Sequence, residues 1–214
     1  MKKVNIIVIG PPGAGKGTQS ERISGELGIP HISTGDMLRQ HSDLETEHGM
    51  ARDYMDRGDL VPDKIVYSIL DHRLKKRDTE NGFVLDGFPR DISQARHLES
   101  MEKIDAVISL EVDKNNVIRR LTGRRICDSC GKTFHLDYKP PVKEGVCDKC
   151  GSDLVQREDD KKDVIEQRLK KYRDKTLPLK EFYRKKGVLR KVDGNKDIEA
   201  VWNDIKEMIE EFLR

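Results

Sequence analysis

The feature that most restricts the fold of this chain is an apolar run followed at once by a glycine-rich loop and a lysine. Residues 4–9 read VNIIVI, and residues 10–16 read GPPGAGK. A continuous, β-branched run predicts a strand that is buried on both faces of a sheet. The loop fits the G-x4-G-K pattern, in which backbone N–H groups and a helix N-terminus bind phosphate. A glycine-rich turn that binds no ligand is the alternative interpretation.

Strand-like and helical patterns alternate along most of the remaining sequence. Predicted strands follow at 83–88, 106–112 and 188–192. Predicted helices lie at 18–27, from about 62–63 through 74, at 116–122, from 163 with a break near 177–178, and at 198–213. This alternation predicts an α/β fold, with a parallel sheet that carries helices on both faces. With 214 residues, the chain is long enough for one core that carries insertions.

One segment interrupts the alternation and contains all four cysteines of the chain. They are Cys127, Cys130, Cys147 and Cys150. Two Cys-x2-Cys pairs at this separation are typical of a zinc site. Four thiolates complete a tetrahedral shell and leave no open position for substrate, which favours a structural metal over a catalytic one. Two disulfides or free thiols are the alternatives, and a zinc ribbon that binds nucleic acid is another.

Composition argues against several classes of partner. The net charge is only +2, although 37% of the residues are charged, so neither a nucleic acid nor a membrane is expected as partner. Lysines between Cys130 and Cys147 are offset by Asp137 and Glu144, which counts against a nucleic-acid-binding ribbon. No apolar run approaches a membrane span, and the first apolar run is too short for a secretory signal. A cytoplasmic location is therefore expected.

Several further motifs follow the loop in a fixed order. They are GPPGAGKGTQ (10–19), STGDMLR (33–39), GDLVPDKIV (58–66), LDGFPRDISQA (85–95), LTGRR (121–125) and REDD (157–160). Together they resemble adenylate kinases of the long-lid type with a zinc-binding lid. The resemblance implies reversible transfer of the terminal phosphoryl group of Mg·ATP to AMP, giving two ADP. Lid closure excludes water in that reaction.

The resemblance also implies a division of the chain. A discontinuous P-loop core would comprise 1–32, 63–123 and 162–214, with an AMP-binding insertion at 33–62 and a small, zinc-ribbon-like lid at 124–161. The expected partners are ATP, AMP and ADP, the expected ions are structural Zn²⁺ and Mg²⁺ with ATP, and a monomer is expected. Another nucleoside monophosphate kinase is the closest alternative. Thr34 and Gln94, which match residues around the AMP adenine in the family, favour AMP.

The family motifs carry over to individual residues. The expected catalytic residues are Lys16, Arg90, Arg124, Arg157, Arg168 and Asp86. The expected ATP-binding residues are Gly13, Ala14, Gly15, Lys16, Gly17, Thr18, Arg120, Arg124, Thr133, Phe134, His135 and Lys196. The expected AMP-binding residues are Thr34, Gly35, Arg39, Leu60, Val61, Gly87, Arg90, Gln94, Arg157 and Arg168.

Several positions depart from the family pattern or keep a second interpretation. Gly17 stands where a generic P-loop has Ser or Thr, so we expect Thr18 to contact Mg²⁺ through water. Asp86 matches the magnesium-supporting acid of P-loop enzymes, with capping of the next turn as the alternative. His135 is equally consistent with a structural role. Asp159 and Asp160 resemble acids that hold the closed lid, although a solvated charge run has the same pattern.

Overall fold

A computed structural model of the protein describes residues 3–40, 45–46 and 49–213. Its strands are β1 (Val4–Ile9), β2 (His31–Ser33), β3 (Glu45–Thr46), β4 (Gly49–Met50), β5 (Gly82–Asp86), β6 (Ala106–Glu111), β7 (Arg124–Cys127), β8 (Thr133–His135), β9 (Leu154–Val155) and β10 (Leu189–Asp193). Its α-helices are α1 (Lys16–Leu27), α2 (Thr34–Gln40), α3 (Ala51–Asp56), α4 (Asp63–Leu74), α5 (Ile92–Met101), α6 (Lys114–Thr122), α7 (Lys162–Lys171), α8 (Pro178–Lys185) and α9 (Ile198–Leu213).

Five of these strands form a parallel sheet in the order β10-β6-β1-β5-β2. The apolar run β1 lies at the centre, paired with β5 on one side and β6 on the other. All six of its residues are buried, as its continuous hydrophobic pattern predicts. The P-loop therefore leaves the sheet at the carboxyl ends of the central strands, where open α/β sheets bind ligands.

Alternate residues of β1 pack into two separate cores. Ile7 and Ile9 lie in one core, which includes residues of α4, α5 and α8. Ile6 and Val8 lie in the other, which includes residues of α1 and α9. Since successive side chains of a strand point to opposite faces, helices cover both faces of the sheet. The predicted α/β fold is confirmed.

Most predicted elements are confirmed, with small corrections at their ends. The strand at 4–9 and the helix at 198–213 have the predicted bounds. The strand predicted at 83–88 ends at Asp86, because Gly87 adopts a φ of 81° and turns the chain. The predicted break near 177–178 follows a π-helical turn, Tyr172–Thr176, and α8 then begins at Pro178. Proline suits that first position because an N–H group in the first turn has no acceptor within the helix, so its absence in proline costs no hydrogen bond.

The cysteine segment forms a small sheet of its own. Antiparallel strands β7, β8 and β9 are arranged in the order β8-β7-β9. Its buried core consists of Cys127, Phe134 and Cys147, with Cys130 and Leu154 packed against them. So small a core can stabilise little structure without a cross-link or a metal.

Candidate active site

The P-loop is shaped by glycines and opens onto the start of α1. Gly15 adopts a φ of 89° immediately before the helix, and no side chain caps the first turn. The first turn also contains no acidic residue, so its N–H groups and partial positive charge face the loop. Gly13, at a φ of 75°, lies so close to α6 that an added Cβ would be 2.8 Å from Cγ of Leu121. The loop is therefore packed tightly on its outer side and open on its inner side.

Lys16 lies inside this loop. Its Nζ donates hydrogen bonds to the carbonyl oxygens of Gly10 at 3.1 Å and Pro11 at 2.9 Å. Burial lowers the pKa of Lys16 to about 8, although the nearby Asp86 carboxylate opposes that shift. A cation that is desolvated to this degree is stabilised by an anion placed beside it.

Asp86 is the last residue of β5 and stands opposite Val8 in the register with β1. Its side chain is only 13% exposed, and its Oδ2 lies 3.9 Å from Nε2 of His31. An added Cβ on Gly17 would lie 3.5 Å from the same oxygen, so the carboxylate faces the start of α1. This places oxygen ligands next to the phosphate loop.

Two arginines share one buried carboxylate at the base of the cysteine segment. Arg124 donates to both oxygens of Asp160, at 2.7 and 2.5 Å, and Arg168 donates to Oδ1 at 2.9 Å. Asp160 is fully buried. Although burial opposes the shift, Asp160 raises the pKa of Arg124. Burial is the main cause that lowers the pKa of Arg168.

Arg157 has far weaker compensation for its charge. Within the described residues its nearest acid is Asp36, at 3.8 Å, and Asp36 already pairs with Arg39 at 2.5 Å. Among the described residues, its buried Nε has no hydrogen-bond partner. Burial lowers the pKa of Arg157, and the neighbouring Arg124 lowers it further. An unsatisfied, buried guanidinium N–H is costly, and an anion at this place would satisfy it.

Arg90 is fixed at several points. Its Nε donates to the carbonyl oxygen of Gly87 at 2.8 Å, and its own carbonyl oxygen accepts from Oγ1 of Thr176 at 2.8 Å. Its backbone N–H donates to Oε1 of Gln94 at 2.7 Å. Burial, followed by the charge of Arg168, lowers the pKa of Arg90. Thr176 belongs to the π-helical turn, a feature that occurs often at functional sites.

Two polar residues at this side of the site are almost completely buried. Thr34, at the start of α2, donates to the carbonyl oxygen of Asp86 at 3.3 Å. Gln94 is 2% exposed and donates through Nε2 to Oδ1 of Asp63 at 2.7 Å.

A third group of residues lies beyond the P-loop. Arg120 on α6 reaches towards the carbonyl oxygens of Ala14 at 3.5 Å and Lys196 at 3.4 Å. His135 on β8 accepts through Nδ1 from the backbone N–H groups of Asp137 and Tyr138, at 2.9 and 3.1 Å. Burial lowers the pKa of His135, so the neutral ring is favoured.

These groups line a single cavity of about 1100 Å³. Every residue expected from the sequence to bind ATP, to bind AMP or to act in catalysis contributes to its wall. Because the motifs lie far apart in the sequence, only the fold brings them together. The wall also includes residues that sequence reasoning did not single out, among them His31, Asp36 and Thr176. Asp36 lies inside the STGDMLR motif, whereas no local pattern marks Thr176.

The four cysteines form a cluster of thiols at one edge of the cavity. Their Sγ atoms all lie within 4.8 Å of one another. The closest pairs are Cys127 with Cys150 at 3.3 Å and Cys130 with Cys147 at 3.6 Å. These separations exceed an S–S bond of about 2.05 Å, and all four cysteines are free. The predicted metal-binding cluster is therefore formed, and disulfides are excluded in this structure.

The glycine loop, the adjacent carboxylate and the buried arginines define a P-loop protein that handles phosphate groups. A sequence model of the family described as "Adenylate kinase" matches residues 8–188. Curated relatives named adenylate kinase cover nearly the whole chain. The protein from Archaeoglobus fulgidus is 50% identical over 98% of this chain and 99% of its own length, and that from Geobacillus sp. is 51% identical over 96% and 98%.

The chain therefore belongs to the adenylate kinase family, and its function is the phosphoryl transfer from ATP to AMP that defines this family. It is accordingly a phosphotransferase, as the motifs predict. None of the helices within the described ranges combines the length and the apolar character needed to cross a bilayer.

Proposed function

We propose that the cavity binds ATP along the P-loop and AMP beside α2 and Gln94, with phosphoryl transfer between them. The observation that carries this proposal is the shared cavity, which both predicted sets of nucleotide-binding residues line. Its volume of about 1100 Å³ slightly exceeds the usual range for small-molecule pockets, which is about 300–1,000 Å³. Two nucleotides need that space if their phosphates are to meet.

The basic residues divide between the two nucleotides in this proposal. Lys16 and Arg124 bind the β- and γ-phosphates of ATP, and Arg39 and Arg90 bind the phosphate of AMP. Arg157 and Arg168 contact the phosphoryl group in transit. Phosphoryl transfer depends mainly on positioning two anions and stabilising the charge between them, so it needs no general base. The planar guanidinium group suits this work because it can donate to two oxygens at once.

The bases occupy opposite ends of the cavity in the same scheme. The ATP adenine lies against Arg120, with Thr133, Phe134, His135 and the backbone of Lys196 around it. The AMP adenine lies between Thr34, the backbone of Leu60 and Val61, and the amide of Gln94. A hydrogen-bonding pocket of this kind rejects bases that leave its polar groups unpaired.

Asp86 would hold the magnesium ion that accompanies ATP. Mg²⁺ prefers oxygen ligands and keeps several waters, so Asp86 at the end of β5 and, through water, Thr18 in α1 would hold it. The fit is supported by the position of the Asp86 carboxylate against Gly17. When bound, the ion neutralises charge on the β- and γ-phosphates.

Zinc is the metal that we assign to the cysteine cluster, in a structural role. A tetrahedral ion with Zn–S bonds of about 2.3 Å requires sulfurs about 3.8 Å apart. The cluster has Sγ pairs at 3.3 and 3.6 Å and a span of at most 4.8 Å, which fits. Backbone N–H groups of Cys130 and Lys149 point at Sγ of Cys127 and Cys147, which stabilises thiolates.

Four further assignments complete the proposal. Residues 124–161 act as a lid and 33–62 as the AMP-binding insertion, with the rest as core. The protein acts as a cytoplasmic monomer. Sedimentation at micromolar concentration tests whether the protein is a monomer. The masses of the fragments from limited proteolysis, with and without nucleotide, test the boundaries of the lid.

A phosphotransfer assay with ATP or GTP as donor and AMP, GMP, UMP or CMP as acceptor tests the substrate assignment. We expect the highest kcat/KM with ATP and AMP. Turnover of UMP or CMP but not AMP would contradict the assignment of the acceptor pocket.

Two adjacent arginines provide a matched pair of variants. Arg124→Ala should lower kcat by about a hundredfold or more, as loss of a group that stabilises transition-state charge does. Arg125→Ala is the control, because its guanidinium donates to the backbone carbonyls of Thr122 and Arg124 and Arg125 is not among the residues that line the cavity. Equal losses in both variants would refute the assignment of Arg124.

A further inference from the structure

The amide of Gln94 is held in one of its two possible orientations by partners that cannot exchange roles. Its Oε1 accepts from the backbone N–H of Arg90 at 2.7 Å. Its Nε2 donates to Oδ1 of Asp63 at 2.7 Å. A backbone N–H only donates and an ionised carboxylate only accepts. A rotated amide would therefore place donor against donor at Arg90 and oxygen against oxygen at Asp63.

Asp63 is itself fixed at this place. It is the first residue of α4, where a carboxylate interacts favourably with the helix dipole. Its second oxygen, Oδ2, accepts from the hydroxyl of Tyr67 at 3.4 Å. The Tyr67 ring stacks on His97 with centroids 3.8 Å apart, and His97 in turn contacts Asp71 at 3.0 Å. The carboxylate that holds Gln94 therefore belongs to a packed network between α4 and α5.

The two internal bonds leave a defined edge of the amide for a ligand. One Nε2 hydrogen and one lone pair of Oε1 have no partner in the part of the chain that the structure describes, and Gln94 lines the cavity. Adenine offers an acceptor at N1 beside a donor at its 6-amino group, which matches this edge in full. A 6-oxopurine offers a donor at N1 beside an acceptor at O6, so it would meet two mismatches.

We infer that Asp63 is a specificity-determining residue of this enzyme, which selects 6-amino over 6-oxo purine nucleotides by fixing the orientation of the Gln94 amide. The inference rests on the proposed binding of the AMP adenine at Gln94. Asp63 is a positioning residue in this scheme, since it acts on the base only through Gln94.

The test compares AMP with inosine monophosphate, which differs at N1 and C6 of the base alone. In the unaltered enzyme, kcat/KM should favour AMP by about a hundredfold or more. Asp63→Ala should raise KM for AMP about tenfold and reduce the preference about tenfold, as expected for loss of one hydrogen bond to a charged group. KM for ATP should stay within about twofold, because the donor site is untouched.

Two further variants separate this role from a merely structural one. Asp63→Asn should retain most of the preference, because its carbonyl oxygen can accept from Gln94 and its amide can donate to Tyr67. Asp163→Ala removes an exposed first-turn carboxylate from α7 and should leave the preference unchanged. It thereby controls for the loss of charge and of the helix-dipole interaction.

If Asp63→Ala fails to fold, side-chain amide NMR of the unaltered protein provides a second measurement. One Nε2 proton of Gln94 should be shifted downfield before nucleotide is added, and the second should follow on addition of AMP. Nε2 protons of Gln94 at the chemical shifts of a solvent-exposed glutamine side chain in the nucleotide-free protein would overturn the inference, as would a folded Asp63→Ala variant with the original preference. An unaltered enzyme that does not distinguish the two acceptors would instead refute the proposed adenine site.

Discussion

Substitution of Asp160 by Asn should destabilise the protein severely, although it changes only an oxygen to a nitrogen. The Asp160 carboxylate is fully buried and accepts three hydrogen bonds, from Nε and Nη2 of Arg124 and from Nη1 of Arg168, at 2.5–2.9 Å. The amide removes the compensating charge and turns one acceptor into a donor that faces guanidinium groups. Breaking a buried ion pair in this way costs about 3–5 kcal/mol.

For a chain of this length, 1 kcal/mol corresponds to about 2–4 °C, so Tm should fall by about 6–20 °C. Scanning calorimetry measures this directly. The loss should be smaller with ATP present, because phosphate oxygens can accept bonds from the arginines that Asp160 releases.

Glu158 provides the matched control for this experiment. It lies in the same short turn, and its ion pair with Lys161 is about 60% exposed on both sides. Removal of such a surface pair costs about 0–1 kcal/mol, so Glu158→Gln should barely change Tm. A Tm for Asp160→Asn within about 2 °C of this control would show that the buried network does not stabilise the fold as reasoned.

Three other perturbations test separate parts of the structure. Burial lowers the pKa of Lys16 from its ordinary 10.5 to about 8 in the folded chain. Between about pH 8 and 10.5 the unfolded chain therefore binds more protons, and the free energy of unfolding should rise with pH. Urea titrations should show this rise in the parent protein and not in Lys16→Met. Elemental analysis should find about one zinc per chain. Cys147→Ser should lower Tm more than it alters kcat at low temperature. Lost catalysis with unchanged stability would contradict a structural metal. Gly13→Ala should lower the free energy of unfolding by about 1–3 kcal/mol and raise KM for ATP, because its Cβ would lie 2.8 Å from Leu121. Gly145→Ala is the control, since Gly145 has a similar φ but open space around it, and it should destabilise less and leave KM unchanged.

Elements with a strong local pattern can be predicted from the sequence without knowledge of the fold. The bounds of β1 and α9 are predicted as observed. β1 is a continuous apolar run that ends at a glycine, and α9 is a long helix with a clear amphipathic period. The short elements β2, α2 and α3 were not predicted. They span only 3, 7 and 6 residues, and such lengths contain too few repeats for a period to emerge. Helix α5 is also absent from the predicted helices, although the Asp91 side chain caps it by accepting a hydrogen bond from the backbone N–H of Gln94.

Residue chemistry was predictable wherever a motif is local. The P-loop and the paired cysteines lie in short segments, whose spacing alone indicates phosphate binding and metal binding. The individual arginine roles came instead from the resemblance of several distant motifs to one family. A lone arginine in a charged sequence would have been read as a surface residue.

The sequence by itself determined the class of the protein, since the order of a buried strand, a glycine loop and a lysine is compatible with few folds, and the two cysteine pairs define a metal cluster. Only the tertiary structure decided which groups hold the site in position. Asp160 joins Arg124 to Arg168, Thr176 holds Arg90 from 86 positions away, and Asp63 orients Gln94 across 31 positions. The physical reason is that hydrogen bonds between distant residues leave no periodic trace in a sequence, because they depend on how helices pack against a sheet.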